Sequence, residues 1–311
     1  MKQRDVWIDI VKGIGILSVV FGHVLQSHIV YLWHMPLFFV LAGWNYHAVD
    51  TGRYIKKLTK RLLLPYFVCL FVCLFVGRVF DIEVLKISLK TALFGGTELK
   101  GVYAVFWFVT VLYCMLFVLH FLSKIGLRWW MVVFSLIIGY LPMCHHVELP
   151  WNIQVVPLAL VYGCVGCKFR KLIDTRMDGI RWYWVVSGLI VLIVLSMITV
   201  LSMDMKYNNF GLPIVSFVAS FICVLAIFAL SKSVEKVMPI SRVLGLLGKG
   251  SMIIMYSHML INYALVVLIG DAWIRFVLVL VISLIVFLMI QEIGKLGECL
   301  RVNCKNERKK I

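Results

Sequence analysis

Three histidines fall inside or at the edges of long apolar runs, where an ionisable group is costly and therefore a candidate for function. The first run, read as a helix over about 6–27, carries Asp9, Lys12 and His23. Asp9 and Lys12 are an i,i+3 pair that can neutralise each other. Lys12 and His23 are eleven residues apart, which is three turns plus about 20°, so they share one face about 16 Å apart along the axis. A cation at the inner mouth and an imidazole farther along the same stripe suit a ligand lying along it. The plain structural alternative is a snorkelling lysine and a hydrogen-bonded packing histidine.

The second run contains His34-Met35-Pro36-Leu37-Phe38-Phe39, and proline is well tolerated near a helix start. This puts His34 at a depth similar to His23, where two imidazoles can share proton transfer. An interfacial histidine in an aromatic belt is the alternative. His258 falls about eight residues into the ninth run, near mid-bilayer. Trp107, between Phe106 and Phe108, is either a stacking platform for a sugar ring or part of an aromatic belt. Lys56, Lys57, Lys60 and Arg61 lie in the segment read as the loop after the second helix. There they serve either as a topology anchor near anionic lipid or as a phosphate clamp for a nucleotide-like cofactor.

Other motifs say less. Gly248-Lys249-Gly250-Ser251 lacks the upstream glycine spacing and the strand of a P-loop. Cys164-Val165-Gly166-Cys167 has the CxxC form but no second pair, so no metal is expected. The pair His145-His146 reads as solvated in an outer loop, and His28, His47 and His120 stand at run ends.

The elements that must position these groups follow from composition. Of 311 residues, 62% are apolar and only 15% charged, and the mean hydropathy is +0.99. Ordinary soluble domains are about 45–50% apolar, so a soluble enzyme, a disordered chain and a disulfide scaffold are excluded. The nine cysteines need only apolar burial to explain them. The expected fold is an all-α integral membrane protein, a single domain over 1–311 with no sizeable soluble part. Ten helices are expected, at about 6–27, 30–49, 62–80, 103–122, 130–144, 151–168, 182–203, 213–231, 250–269 and 273–296. The fifth is short and ends at Leu141-Pro142. Ten spans of about 20 residues occupy roughly 200 positions.

The net charge of +16 comes from 31 basic and 15 acidic residues. The basic residues cluster between apolar runs, which favours membrane orientation over nucleic-acid binding. With the N-terminus inside, only Arg78, Lys86, Lys90, Lys100, Lys206 and Arg275 fall outside, and the rest lie inside. This bias predicts ten spans with both termini cytoplasmic. Met1–Arg4 resembles the start of a signal peptide, but no A-x-A site follows, so the first helix is expected to be retained.

Taken as an ordered set, these segments resemble acyltransferase family 3, integral membrane enzymes that O-acylate sugars and other surface molecules, mostly in bacteria. The resemblance rests on Trp7 through His23, His34 through Gly43, Lys60-Arg61-Leu62-Leu63-Leu64-Pro65-Tyr66, Phe106-Trp107-Phe108 and Leu247 through His258. Its most specific part is the basic residue and histidine of the first helix, Lys12 and His23. Residues 120–245 match only as generic spans. Where the family often has arginine this chain has Lys12, and where it often has Ser-Gly this chain has Ala42-Gly43. An ammonium in place of a guanidinium removes bidentate phosphate contact.

The resemblance implies an acyl-CoA donor, usually acetyl-CoA, and a carbohydrate or glycolipid acceptor. It implies a multi-pass protein of the cell membrane, the inner membrane in a bacterium. Lys12 and the Lys56–Arg61 cluster would meet the CoA phosphates. His23 would act as general base or transient acyl carrier, with His34 and His258 as proton relays or oxyanion support. Asp9 would orient or neutralise Lys12. The rival reading is a transporter or flippase of a lipid-linked sugar, which would also want many spans and buried polar residues.

Overall fold

The structure, a computed structural model, describes residues 5–145, 147–177 and 182–307. Met1–Arg4, His146, Arg181, Arg308, Lys309 and Lys310 lie outside the described residues, as do the side chains of Lys171, Arg176, Arg301 and Lys305.

Among the described residues the fold is helical, with one isolated β-bridge between Asp204 and Asn209. The helices are α1 (Val6–Val24), α2 (His34–Trp44), α3 (Thr51–Arg61), α4 (Leu63–Val79), α5 (Leu89–Phe94) and α6 (Trp107–Lys124). They continue as α7 (Trp129–His145), α8 (Val156–Met177), α9 (Trp182–Met197), α10 (Pro213–Val234), α11 (Met238–Val266) and α12 (Ala272–Glu307). Among the described residues seven helical stretches are long and apolar enough to cross a membrane, and shorter apolar stretches cover α2, α7 and nearly all of α9. In hydrocarbon a backbone must satisfy its own polar groups, which is why such composition folds as helices. The chain is a multi-pass membrane protein.

Several expected boundaries move. The second helix starts at His34 rather than 30, because His28–Val30 forms a separate 3-10 turn and Pro36 fits the first turn of a new helix. The segment read as a loop over residues 51–61 is the helix α3. Asp50 caps it by accepting the Arg53 N–H at 3.1 Å, and Leu58 is its buried residue. The fifth helix does not stop at Pro142 but runs through it to His145. The ninth starts twelve residues early, at Met238, with Pro239 in its first turn. His258 is therefore far along α11 rather than near its start.

Two seams of small residues fix the packing. A Cβ on Gly13 of α1 would collide with the Leu244 carbonyl of α11, and one on Gly248 would collide with the Asp9 carbonyl. Likewise, a Cβ on Gly43 of α2 would collide with the Gly163 carbonyl of α8, and one on Gly166 with the Val40 carbonyl. Small residues let backbones approach this closely, which is how helices associate where no hydrophobic driving force is available. The Leu247–Ser251 motif is thus a packing seam, and Gly43 is the small residue of a second one. Trp7, Trp44 and Phe228 stack edge-on at centroid distances of 5.3–5.5 Å and join α1, α2 and α10 near the start of α1.

Candidate active site

The three histidines come from distant parts of the chain and meet at one end of the bundle. His23 is in the last turn of α1 and faces His258 of α11, with ring centroids 5.5 Å apart and planes tilted by 40°. The seam explains this meeting. Gly13 lies beside Gly248, and ten residues further along each helix His23 lies beside His258. Equal spacing on both helices means that α1 and α11 run parallel and in register.

His34 is buried at the start of α2. Its Nδ1 is 2.6 Å from the Val30 carbonyl, and Nδ1 of His258 is 2.9 Å from the Ile254 carbonyl. A carbonyl only accepts, so each Nδ1 carries its proton, and the neutral ring presents a basic lone pair at Nε2. Nε2 of His258 is buried with no partner among the described residues.

His23 and His34 line a cavity of about 160 Å³. Trp107, at the start of α6, forms another wall. Its neighbours Phe106 and Phe108 pack elsewhere, Phe106 on Tyr66 and Tyr256, Phe108 on Phe38 and Phe39. Met35 and Ala104 add apolar surface, and two further walls carry no sequence signal, Tyr31 and the Met203–Tyr207 part of the loop between α9 and α10. Tyr31 packs edge-on against His34 with centroids 5.1 Å apart.

That loop brings two charges to the cavity. Lys206 is 6% exposed and donates from Nζ to the Leu99 carbonyl at 2.6 Å. Burial pushes it down to about 8, against the opposing pull of Asp204. Burial pushes the Asp204 carboxyl up, while backbone N–H groups of Tyr207 and Lys206 pull it partly back. Asn152 donates from Nδ2 to the Lys206 carbonyl at 3.1 Å and is itself held by Gln154 at 3.3 Å. Trp151 and Asn152 adopt left-handed φ angles of 61° and 57°, which non-glycine residues adopt at a cost.

The other expected residues lie elsewhere. Asp9 is buried and pairs with Lys12 at 3.4 Å, about 21 Å from His23 along the α1 axis. It meets the lysine and not the histidines. Between Lys12 and His23 the shared stripe holds Ile16 and Val19, which are 1% and 2% exposed, so that path is packed by protein. Lys56, Lys57, Lys60 and Arg61 are exposed on α3, which rests on α4 and α6, whereas α1 lies against α11 and α10. His120 is buried. It stacks on Tyr54 at 4.3 Å and hydrogen-bonds Tyr46 at 3.0 Å and Thr51 at 3.2 Å, so it joins α3 to the end of α6. Among the described residues no three His, Cys, Asp or Glu side chains gather to hold a metal ion.

A multi-pass helical bundle that brings imidazoles together beside a cavity can perform proton transfer and nucleophilic group transfer. The acyltransferase domain family matches residues 5–292, and the chain belongs to that family. It is 24% identical over 208 residues to the nodulation protein NolL of Mesorhizobium japonicum, covering 58% of this chain and 52% of that protein. It is 27% identical over 203 residues to the NolL of Sinorhizobium fredii, covering 57% and 52%. The chain thus spans about half the length of the curated relatives it matches. No solved structure matches it.

Proposed function

We propose that the chain is a membrane O-acyltransferase. It moves an acyl group, in the simplest case acetyl, from cytoplasmic acyl-CoA to a hydroxyl of a carbohydrate or cell-surface glycan precursor. The observation that carries this reading is the pair of facing imidazoles of His23 and His258 beside a cavity that His34 also lines. Membership of the acyltransferase domain family supplies the reaction class.

His23 takes the proton from the acceptor hydroxyl as its oxygen attacks the thioester carbon, and returns it to the CoA sulfur as the C–S bond breaks; or its ring displaces CoA, carries the acyl group and passes it to the acceptor oxygen. Nε2 of His258, whose ring faces that of His23, is a basic lone pair placed to receive or return that proton, and His34 offers a second. Asp9 holds Lys12 in place at the opposite end of α1. Lys12 and the exposed cations of α3 are suited to the donor's phosphates, as ammonium groups that act without a fixed fork geometry. The donor's pantetheine arm reaches the histidines by a route other than the stripe filled by Ile16 and Val19, or displaces them.

Ten crossings with both ends cytoplasmic is the topology that this reading adopts. Parallel α1 and α11 require an odd number of crossings between them. Four of the seven long spans lie between, so an odd number of the shorter helices must also cross, and all three give ten.

The test is purified protein in detergent with radiolabelled acetyl-CoA, with and without His23→Ala. His23-dependent release of CoA thiol, or label on the protein, supports the reading. CoA release that survives the substitution in folded protein overturns the role of His23. Movement of a sugar substrate with no covalent product would support transport instead.

A further inference from the structure

The helix α3 carries an exposed row of cations on very little apolar hold. Leu58 is its single buried residue, whereas Arg53, Lys56, Lys57, Lys60 and Arg61 are exposed. Helices in proteins owe most of their stability to packing an apolar face, and one leucine is not such a face. Polar and aromatic contacts along α6 hold α3 instead. The Tyr54 hydroxyl donates to the Leu116 carbonyl at 3.5 Å, the hydroxyls of Thr59 and Tyr113 meet at 3.3 Å, and the first turn docks on His120.

His120 is 0% exposed, and both of its ring nitrogens are engaged. The direction of each bond follows from a group that only accepts. Ser123 gives its hydroxyl proton to the His120 carbonyl at 2.8 Å, so it accepts from Tyr46. With its proton directed to Ser123, Tyr46 accepts from Nδ1 of His120 at 3.0 Å. A neutral imidazole protonated at Nδ1 has its lone pair on Nε2, which accepts from the Thr51 hydroxyl at 3.2 Å. The Lys124 ammonium, which only donates, ends the chain on Thr51. Tyr54 lies flat on the imidazole, with centroids 4.3 Å and planes 11° apart. This chain of bonds joins the segment after α2, the first turn of α3 and the last turn of α6. A network in which every member is satisfied rigidifies what it connects.

We infer that His120 is a positioning residue for donor binding. Through Thr51 and Tyr54 it fixes the start of α3, and so it fixes where Lys57, Lys60 and Arg61, which share one face of that helix, present their charges. It touches neither donor nor acceptor. This rests on the acyl-transfer reading, in which those cations meet the donor's phosphates.

Two readouts on the purified protein in detergent test it. One is the KM and kcat for acetyl-CoA in CoA release, and the other is amide exchange of α3. His120→Ala is expected to raise KM about tenfold or more with kcat little changed, and to speed exchange in α3 by a similar factor, as loss of buried hydrogen bonds does. Thr51→Val, which removes only the hydroxyl on α3, is expected to do the same and stands in if His120→Ala does not fold. The conservative variants divide the ring's two roles. His120→Gln places an amide oxygen where Nε2 was and is expected to keep KM within about threefold of wild type. His120→Asn keeps only the bond to Tyr46 and is expected to behave as His120→Ala. Faster exchange with unchanged KM overturns the donor role and leaves His120 a packing residue. Unchanged exchange in α3 overturns the tether itself, and so does rescue by asparagine but not by glutamine. Wild-type protein that releases no CoA overturns the acyl-transfer reading, and the donor role of His120 falls with it, whereas the exchange data still decide whether His120 holds α3.

Discussion

His34 and His258 each give the Nδ1 proton to a carbonyl one turn back, which fixes Nε2 as the group available for chemistry. Asparagine can keep that hydrogen bond through its amide while losing the basic nitrogen. His258→Asn and His34→Asn are therefore expected to fold. They should lower kcat by about a hundredfold if the rings relay protons, with little change in KM. Unchanged kcat would reduce both to packing. Lys206 makes a different prediction at this scale. Its native pKa of about 8 lies below the ordinary 10.5, so between these values the unfolded chain binds more protons than the folded one. Stability at Lys206 is therefore expected to rise with pH from about 8 to about 10.5, by up to about 3 kcal/mol. Asp204 and Lys100 are the charges that act on it. Melting curves of wild type and Lys206→Met across this range check the point, and the variant should lose the rise. His23, His34 and Trp107 were legible because their types stand out in apolar runs. Asp204 and Lys206 were not, because they sit in a polar loop 170 or more residues from the histidines they join, where a charged residue looks ordinary. Lys206 was read only as a charge on the outer side.

At the scale of elements, the seam between α1 and α11 sets the distance between His23 and His258. Gly248→Ala would press a methyl onto the Asp9 carbonyl and is expected to lower the melting temperature and the activity together. The expected cost is on the order of 1–3 kcal/mol, as for other overpacked contacts. Gly245→Ala, on the same helix, meets nothing within 4 Å and is expected to be neutral or slightly stabilising, since alanine is the better helix former. Similar melting temperatures for the two variants would show that the seam does not hold the helices. The sequence carried this register without announcing it. Glycine and histidine are ten residues apart in both helices, but nothing in the sequence pairs α1 with α11, and α11 begins twelve residues before its apolar run. The helix α3 was missed for another reason. Its polar face dominates its composition, and only Leu58 among its residues is buried, so no apolar run marks it. What makes it a helix is the Asp50 cap and the contacts of Tyr54 and Thr59 with α6. Asp50→Ala is expected to cost about 1 kcal/mol of local stability, read as faster amide exchange confined to the first turn of α3.

For the molecule as a whole, apolar composition made the all-helical membrane fold legible, but span counting by length alone stops at the seven long stretches. The parallel register of α1 and α11 adds a parity that composition lacks, and it bears on whether α7 crosses. Between α3 and the end of α7 the chain passes through α4, α6 and α7. If all three cross, α3 and Cys144 face opposite sides; if α7 does not, they face the same side. Cys144 is exposed at the far end of α7, and Lys57 is exposed on α3. The remaining described cysteines are buried or half-buried. With Cys299 and Cys304 replaced by serine, a membrane-impermeant maleimide is expected to label Cys144 in intact cells. A cysteine introduced by Lys57→Cys in a Cys144→Ser background should label only after permeabilisation. This outcome would also place the cavity and His23 at the end opposite the α3 cations, because α1 ends on the same side as α7 when α2, α4, α6 and α7 all cross. Donor and acceptor would then enter from opposite faces. Labelling of both positions from one side would remove α7 from the count and bring the histidine cavity and the α3 cations under a different topology.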